Sequence, residues 1–372
     1  MQVRKIENSN QRDIRKFIQF PFDLYRNNSL WVPPMRSEIK FSLNRQQFPF
    51  YRHSEADFFI AESNGKIVGR ISVINNRNYN EYNKTKTAFF YYFDVVNNQD
   101  TADLLFETAS KWAQKRGLTK IFGPKGLLQT DGNGLLVEGF EHPPAMGIAY
   151  NYPYYHDLVT NAGFTPKVNY LSGLLSAEME LEQRVFDLSE RIMQKRGFRV
   201  EKFNSKKSLL EWAPKLKNVY NAAFDGENVF SPITTAEMEH ISKRLLSFAD
   251  PRLIKLIFKG DEIVGFLFAY HNISEGLRKT NGSLWPLGWF HIWRAFKTTK
   301  WVDINGIGLL PKYQGLGGPS ILYVELEKTI RDFGFNFAET IHIRDNNIKS
   351  MAEMKALGVK WYKRHLVYQK DI

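Results

Sequence analysis

The chain has no cysteine in its 372 residues. That absence removes disulfides, thiolate metal sites and cysteine nucleophiles together, and it fits a reducing, cytoplasmic setting. No uncharged apolar run reaches the roughly 18 residues that a membrane-spanning helix needs. The opening stretch MQVRKIENSNQRDIRKFI has no uninterrupted apolar core, so no signal peptide is expected. Basic residues are numerous but scattered. The net charge of +12 is therefore read mainly as solvated surface, with a smaller share serving an anionic ligand, and nucleic acid is not an expected partner. His53, His142 and His156 have no metal-ligand spacing, so no metal is expected.

What is present is material for cores. Hydrophobic residues make up 43% of the chain and aromatic residues 15%. At about 150 residues per domain, the length predicts two domains. Residues 57–76 flank Asn64-Gly65 with apolar runs, a strong hairpin signal. Residues 89–96 and 118–124 read as strands. Between them, 101–116 form an amphipathic helix closed by Gly117. A glycine-rich loop over 126–139, a short helix at 153–162 and a strand at 167–175 close this half. After a linking helix (178–196) the order restarts, with a hairpin at 253–272, a strand at 301–310, a helix at 317–333, a strand at 337–343, a helix at 346–357 and a closing strand at 359–370. IVGR (67–70) and IVGF (263–266) match at an offset of 196, and NAGF (161–164) and ALGV (356–359) at 195. Arg116-Gly117 and Phe333-Gly334 match at 217, with 276–300 read as an insertion in the second half. The chain thus reads as a duplication, with domains at 1–176 and 177–372.

Residues 303–334 carry the strongest functional signal. An apolar strand containing Gly306 and Gly308 runs into Gly315, Gly317 and Gly318, and a helix of apolar period follows. Glycines inside the strand predict a bulge or a close backbone approach. A strand, a glycine turn and a helix N-terminus together aim backbone N–H groups at an anion.

Gln314-Gly315-Leu316-Gly317-Gly318-Pro319 resembles the acetyl-CoA signature of the GCN5-related N-acetyltransferase (GNAT) superfamily. The order of elements is similar to that fold, and Asn347-x-x-Ser350 with Leu357-Gly358 resembles the family's following helix. WVPPMR, HPP (142–144) and NYPYY (151–155) point to a bacterial group with two such domains in tandem. The resemblance implies a mixed α/β (α+β) fold, each domain a mostly antiparallel twisted sheet flanked by helices. It further implies an acetyl-CoA-dependent N-acetyltransferase whose amine acceptor is a small molecule or a peptide, acting as monomer or homodimer. CoA would be held by the backbone of Ile307, Gly308 and Leu309, by the turn from Gln314 to Ser320 (Gly315, Leu316, Gly317, Gly318 and Pro319 between them), and by Asn347 and Ser350. Gln314 would anchor the loop with its amide. Pro319 departs from the family pattern and has no N–H to give.

The resemblance places Asp303, Glu339 and His342 on the two strands that part around the thioester, as candidate bases. The family's usual tyrosine acid falls at Met354. Tyr323 and Tyr362 do not occupy that slot. At the 217 offset, Asn97-Asn98-Gln99-Asp100-Thr101-Ala102 stands opposite 314–319 without a glycine. The first domain is therefore expected to keep the fold and lose the cofactor site, with Asp100 and Thr101 forming an ordinary helix N-cap. Trp285, Trp289 and Trp293 stand at i, i+4 and i+8. Packing between the two halves is the preferred reading. An apolar acceptor pocket, or a peripheral membrane contact aided by Arg294, Lys297 and Lys300, is the alternative. An aminoacyl-tRNA-dependent transferase and a non-catalytic CoA-binding module are the competing functions.

Overall fold

The computed structural model describes residues 1–176, 181–226, 229–314 and 317–372, apart from the side chain of Ala213. In chain order the elements begin with β1 (Gln2–Lys5), α1 (Gln11–Leu24), α2 (Arg36–Ser42), β2 (Glu55–Ser63), β3 (Lys66–Asn75), α3 (Arg77–Tyr82), β4 (Thr87–Val95), α4 (Gln99–Gln114), β5 (Lys120–Gly123), β6 (Leu135–Glu138), α5 (Tyr155–Asn161) and β7 (Thr165–Ser176). They continue with α6 (Gln183–Arg196), β8 (Phe198–Lys202), α7 (Lys206–Leu210), α8 (Ala213–Ala223), α9 (Thr235–Phe248), β9 (Ile254–Lys259), β10 (Glu262–His271), α10 (Ser274–Thr280) and α11 (Gly288–Thr298). The last are β11 (Trp301–Leu309), α12 (Gly318–Phe333), β12 (Phe337–Arg344), α13 (Ile348–Ala356) and β13 (Lys360–Asp371).

The chain forms two compact units. The first comprises Met1–Tyr170, Ile273–Ala295 and Lys363–Ile372, and the second Leu171–Asn272 and Phe296–Tyr362. Compactness therefore divides the chain differently from the 1–176 and 177–372 halves. Most of the 276–300 insertion belongs to the first unit. The first unit also takes the end of β13 as the neighbour of β5, and the second takes Leu171–Ser176 of β7 beside β12. The closing strands are thus exchanged relative to sequence order. Hydrogen-bond pairing rewards any strand of suitable register, whatever its distance along the chain.

Within the first unit, β1 to β4 pair antiparallel in sequence, and β4 then pairs parallel with β5. The β2–β3 turn has Asn64 at φ 51 and Gly65 at φ 74, the two positive values that a tight hairpin turn of primed type requires. The core of this unit lies between the sheet and α4, where Leu105, Phe106, Ala109 and Trp112 meet Ile71, Phe90 and Ile121. The second unit repeats the pattern. β8 to β11 pair antiparallel and β11 pairs parallel with β12. Ile321, Leu322 and Leu326 of α12 pack onto Leu267, Val302 and Ile304 of the sheet.

Candidate functional site

In the second unit, β11 and β12 are in parallel register from Trp301↔Phe337 to Ile304↔Thr340. Among the described residues the pairing stops there, while β11 runs on to Leu309 and β12 to Arg344. The two strands therefore part, leaving an open backbone edge. At the point of parting, the register with β10 shifts: Ala269 faces Ile304 but Phe268 faces Gly306, so Asn305 is the extra residue of a bulge. The bulge falls where the strand glycines predicted one. Gly308 lies so close to Phe266 that a Cβ would meet its ring at 2.5 Å.

The strand leads into α12 through residues 310–317. Gln314 donates its side-chain amide to the carbonyl of Leu309 at 3.2 Å, which ties the loop to the strand end. Gly317 precedes the helix at φ 85, in the left-handed region. A Cβ on Gly318 would meet Leu309 Cδ1 at 2.9 Å, so glycine here lets the helix start sit directly on the end of β11. Pro319 occupies the first helical turn, where its missing N–H costs no helical bond. Ser320 turns its hydroxyl to the Gly317 carbonyl at 2.6 Å. Gly315 and Leu316 lie outside the described residues.

The three candidate bases separate by depth. Asp303 and Glu339 face each other in the paired part of the strands, and both are buried. Asp303 accepts from the Asn272 amide at 3.0 Å. Glu339 is hydrogen-bonded to the Tyr362 hydroxyl; burial first, and then that carboxylate, push this hydroxyl well above the ordinary tyrosine range, so it stays protonated as a donor. His342 lies beyond the last pair, half-buried, with φ 53. A left-handed backbone inside a strand is a local strain that the surroundings must hold. Here the His342 N–H donates to Ser172 Oγ at 3.3 Å. Asn272 and Ser172 carry no motif and escaped the sequence reading, and Tyr362 was named there only as a tyrosine outside the acid slot, not as the partner of Glu339.

Asn347 caps α13, accepting from the Ser350 N–H at 3.1 Å, which explains that pair's spacing. Met354, in the tyrosine slot, is buried against Tyr323 and Val359. Tyr323 donates to Glu353 at 2.7 Å.

The equivalent place in the first unit is filled by its own side chains. The β4–β5 pairing ends at Phe89↔Phe122, and the Phe90 carbonyl then accepts from the Lys125 N–H at 2.9 Å. Further along, the Val95 N–H donates to the Tyr155 hydroxyl at 3.1 Å, and the Tyr154 hydroxyl donates to the Val95 carbonyl at 2.9 Å. The Tyr25 hydroxyl donates to Tyr155 at 2.8 Å. The connection to α4 is only 96–98, and the cap is Asn98, whose side chain accepts from the Thr101 N–H at 2.8 Å. Asp100 was expected to share that cap with Thr101. It sits instead in the first turn, because the shorter connection shifts the helix start relative to the 217 offset.

This geometry is that of a known fold. A tandem GNAT protein from the clavulanic acid biosynthesis pathway superposes with a TM-score of 0.57 at 11% identity, covering 100% of this chain and 98% of that one. The fold is a tandem GNAT fold. The glucosamine N-acetyltransferase region of a fungal β-N-acetylglucosaminidase also superposes on it, with a TM-score of 0.54 at 11% identity, over 99% of this chain and 38% of that one. Two curated proteins share the length of this tandem GNAT chain. Protein YghO of Escherichia coli (strain K12) is 25% identical over 98% of this chain and 94% of its own. A bacterial ceramide synthase of Caulobacter vibrioides is 25% identical over 97% of this chain and 95% of its own. No family model matches the chain.

Proposed function

We propose that the protein is an acyl-CoA-dependent N-acyltransferase, with CoA bound by the second unit alone and the chain built as a duplication of 1–176 and 177–372. The observation that carries this reading is the parting of β11 from β12 beside the glycine-led start of α12. In this reading, acyl-CoA, when bound, would supply an activated thioester, and the chain's residues do the rest. The open edge at Ile307, Gly308 and Leu309 hydrogen-bonds the pantetheine arm as a neighbouring strand would. The start of α12, from Gly317 to Ser320, faces the pyrophosphate with its positive dipole end, and Gln314 fixes the loop. Pro319 offers no N–H, so the cradle depends on Gly317, Gly318 and the turn before them.

His342 is our candidate base. It lies beyond the last β11–β12 pair, whereas Asp303 and Glu339 are buried within the paired stretch and engaged with Asn272 and Tyr362. The base takes the proton from the attacking amine, and water protonates the departing thiolate in the absence of the usual tyrosine. His342→Ala is expected to lower kcat by about 10²-fold or more, within the range for a general base, with CoA affinity unchanged. Unchanged turnover in that variant, together with a large loss in Glu339→Gln, would move the role to Glu339.

The acyl group and the acceptor divide two versions of the reading. The GNAT signature supports acetyl transfer to a small or peptidic amine. The full-length likeness to a bacterial ceramide synthase supports a long acyl chain and a lipid amine, since a ceramide is an N-acylated long-chain base. Thiol release measured with acetyl-CoA and with palmitoyl-CoA, against a small-amine panel and against sphinganine, separates them. Turnover with neither donor, despite CoA binding, would leave a binding module.

A further inference from the structure

The tryptophans expected to pack between the halves are at the surface. Trp285 is 82% exposed, Leu287 63%, Trp289 56%, Trp293 54%, Leu284 50% and Phe290 40%. Trp285 stands in the turn before α11, so only Trp289 and Trp293 share the helix. The opposite side of α11 is held firmly. Gly276 of α10 approaches so closely that a Cβ there would meet Ala295 Cβ at 2.7 Å and the His291 carbonyl at 2.8 Å. Phe290 joins two of the tryptophans, stacked on Trp293 at 5.9 Å and edge-on to Trp289 at 6.1 Å between ring centroids. Six large apolar side chains exposed within ten positions are a concentration of the kind that marks an interaction site.

Charge selects the occupant. Glu275 is paired with Lys279 at 2.6 Å, and from Gly276 to Val302 the sequence has no aspartate or glutamate, while Arg278, Arg294 and Lys297 are exposed. The whole chain carries +12. Tryptophan has an apolar ring and an N–H, which suits the boundary between headgroups and acyl chains. A helix with an aromatic face flanked by basic residues lies in that boundary. No helix among the described residues is long and apolar enough to cross a membrane, so the contact is with the surface. We infer that residues 284–297 dock this protein on an anionic phospholipid bilayer.

The inference is independent of the acyltransferase reading and is tested without turnover. Flotation with vesicles of phosphatidylcholine alone, and of phosphatidylcholine mixed equally with phosphatidylglycerol, should give binding at least about tenfold stronger to the anionic vesicles, weakening with salt. Tryptophan emission should shift to the blue on binding. Combined Trp285→Ala, Trp289→Ala and Trp293→Ala should abolish flotation while leaving the melting temperature within a few degrees of the parent's, since these side chains are exposed. Arg294→Glu with Lys297→Glu should reduce binding to anionic vesicles by about tenfold or more and leave binding to neutral ones unchanged. Absence of flotation for the parent, or retained flotation in the triple variant, would overturn the inference. So would concentration-dependent dimerisation, abolished by the triple variant, in a protein that ignores vesicles: the patch would then meet a second copy.

Discussion

The two units share one arrangement of strands and differ where the fourth and fifth strands part. Each has four antiparallel strands, a parallel fifth, and a helix that starts where the fourth and fifth part. In the first unit that opening is closed by the protein itself. Tyr154 and Tyr155 take both backbone groups of Val95, and the Asn98 side chain caps α4. In the second unit the connection lengthens to 310–317, the helix begins after a glycine that has no side chain to cap with, and the strand edge beyond Ile304 has no β12 partner among the described residues. How a helix start is capped thus turns on a few residues in the connection before it.

The largest effect should come from making the second unit resemble the first. Gly317→Asp puts a carboxylate at the helix start, forces a left-handed φ on a residue with a Cβ, and pushes that Cβ to 2.2 Å from Ile192 Cδ1. CoA affinity should fall by about 100-fold or more, as measured by calorimetry, since a like charge at a phosphate site costs several kcal/mol. Near-UV circular dichroism checks that the variant is folded. The converse change, Tyr155→Phe, should leave CoA binding intact. It strands the buried Val95 N–H and Tyr25 hydroxyl, and should cost about 1–3 kcal/mol in denaturant unfolding. If it instead created a second CoA site, the tyrosines would be a plug rather than part of the core.

Acid offers another test of the first unit. His365 is buried, with Nε2 3.2 Å from the Ala149 carbonyl, and burial pushes its imidazole down to about 4. The unfolded chain, with an ordinary histidine near 6.5, binds that proton first. The contribution of His365 is therefore complete above about pH 6.5 and is lost as pH falls towards 4, by about 1.4 kcal/mol per pH unit. His365→Gln should flatten stability against pH across that window by one proton. The smallest effects belong to the α4 cap. Asn98→Ala should cost about 1 kcal/mol, and Asp100→Asn only a few tenths, by thermal unfolding. Equal losses would return the cap to Asp100.

The hairpin at Asn64-Gly65, the strand bulge and the start of α12 were legible because each is written in local residues. The exchange of β7 and β13 was not, since strand pairing between distant segments leaves no local mark. The aligned offset misplaced the α4 cap because a helix start follows the length of its connection. The spacing of Trp285, Trp289 and Trp293 gave a face but not its neighbour, as periodicity cannot distinguish a core face from one turned to solvent. Glu339 and Asp303 were nameable as polar residues on the right strands. That they are buried within the paired stretch, with Tyr362 and Asn272 as partners, depends on the register of three strands and on a tyrosine far along the chain.

The central claim is one CoA site per chain, in the second unit. Isothermal titration of the intact protein with CoA, repeated with Gly317→Asp, tests it most directly. A stoichiometry of about one is expected for the parent and no measurable heat for the variant. Two sites, or an unchanged isotherm in a folded Gly317→Asp protein, would contradict it.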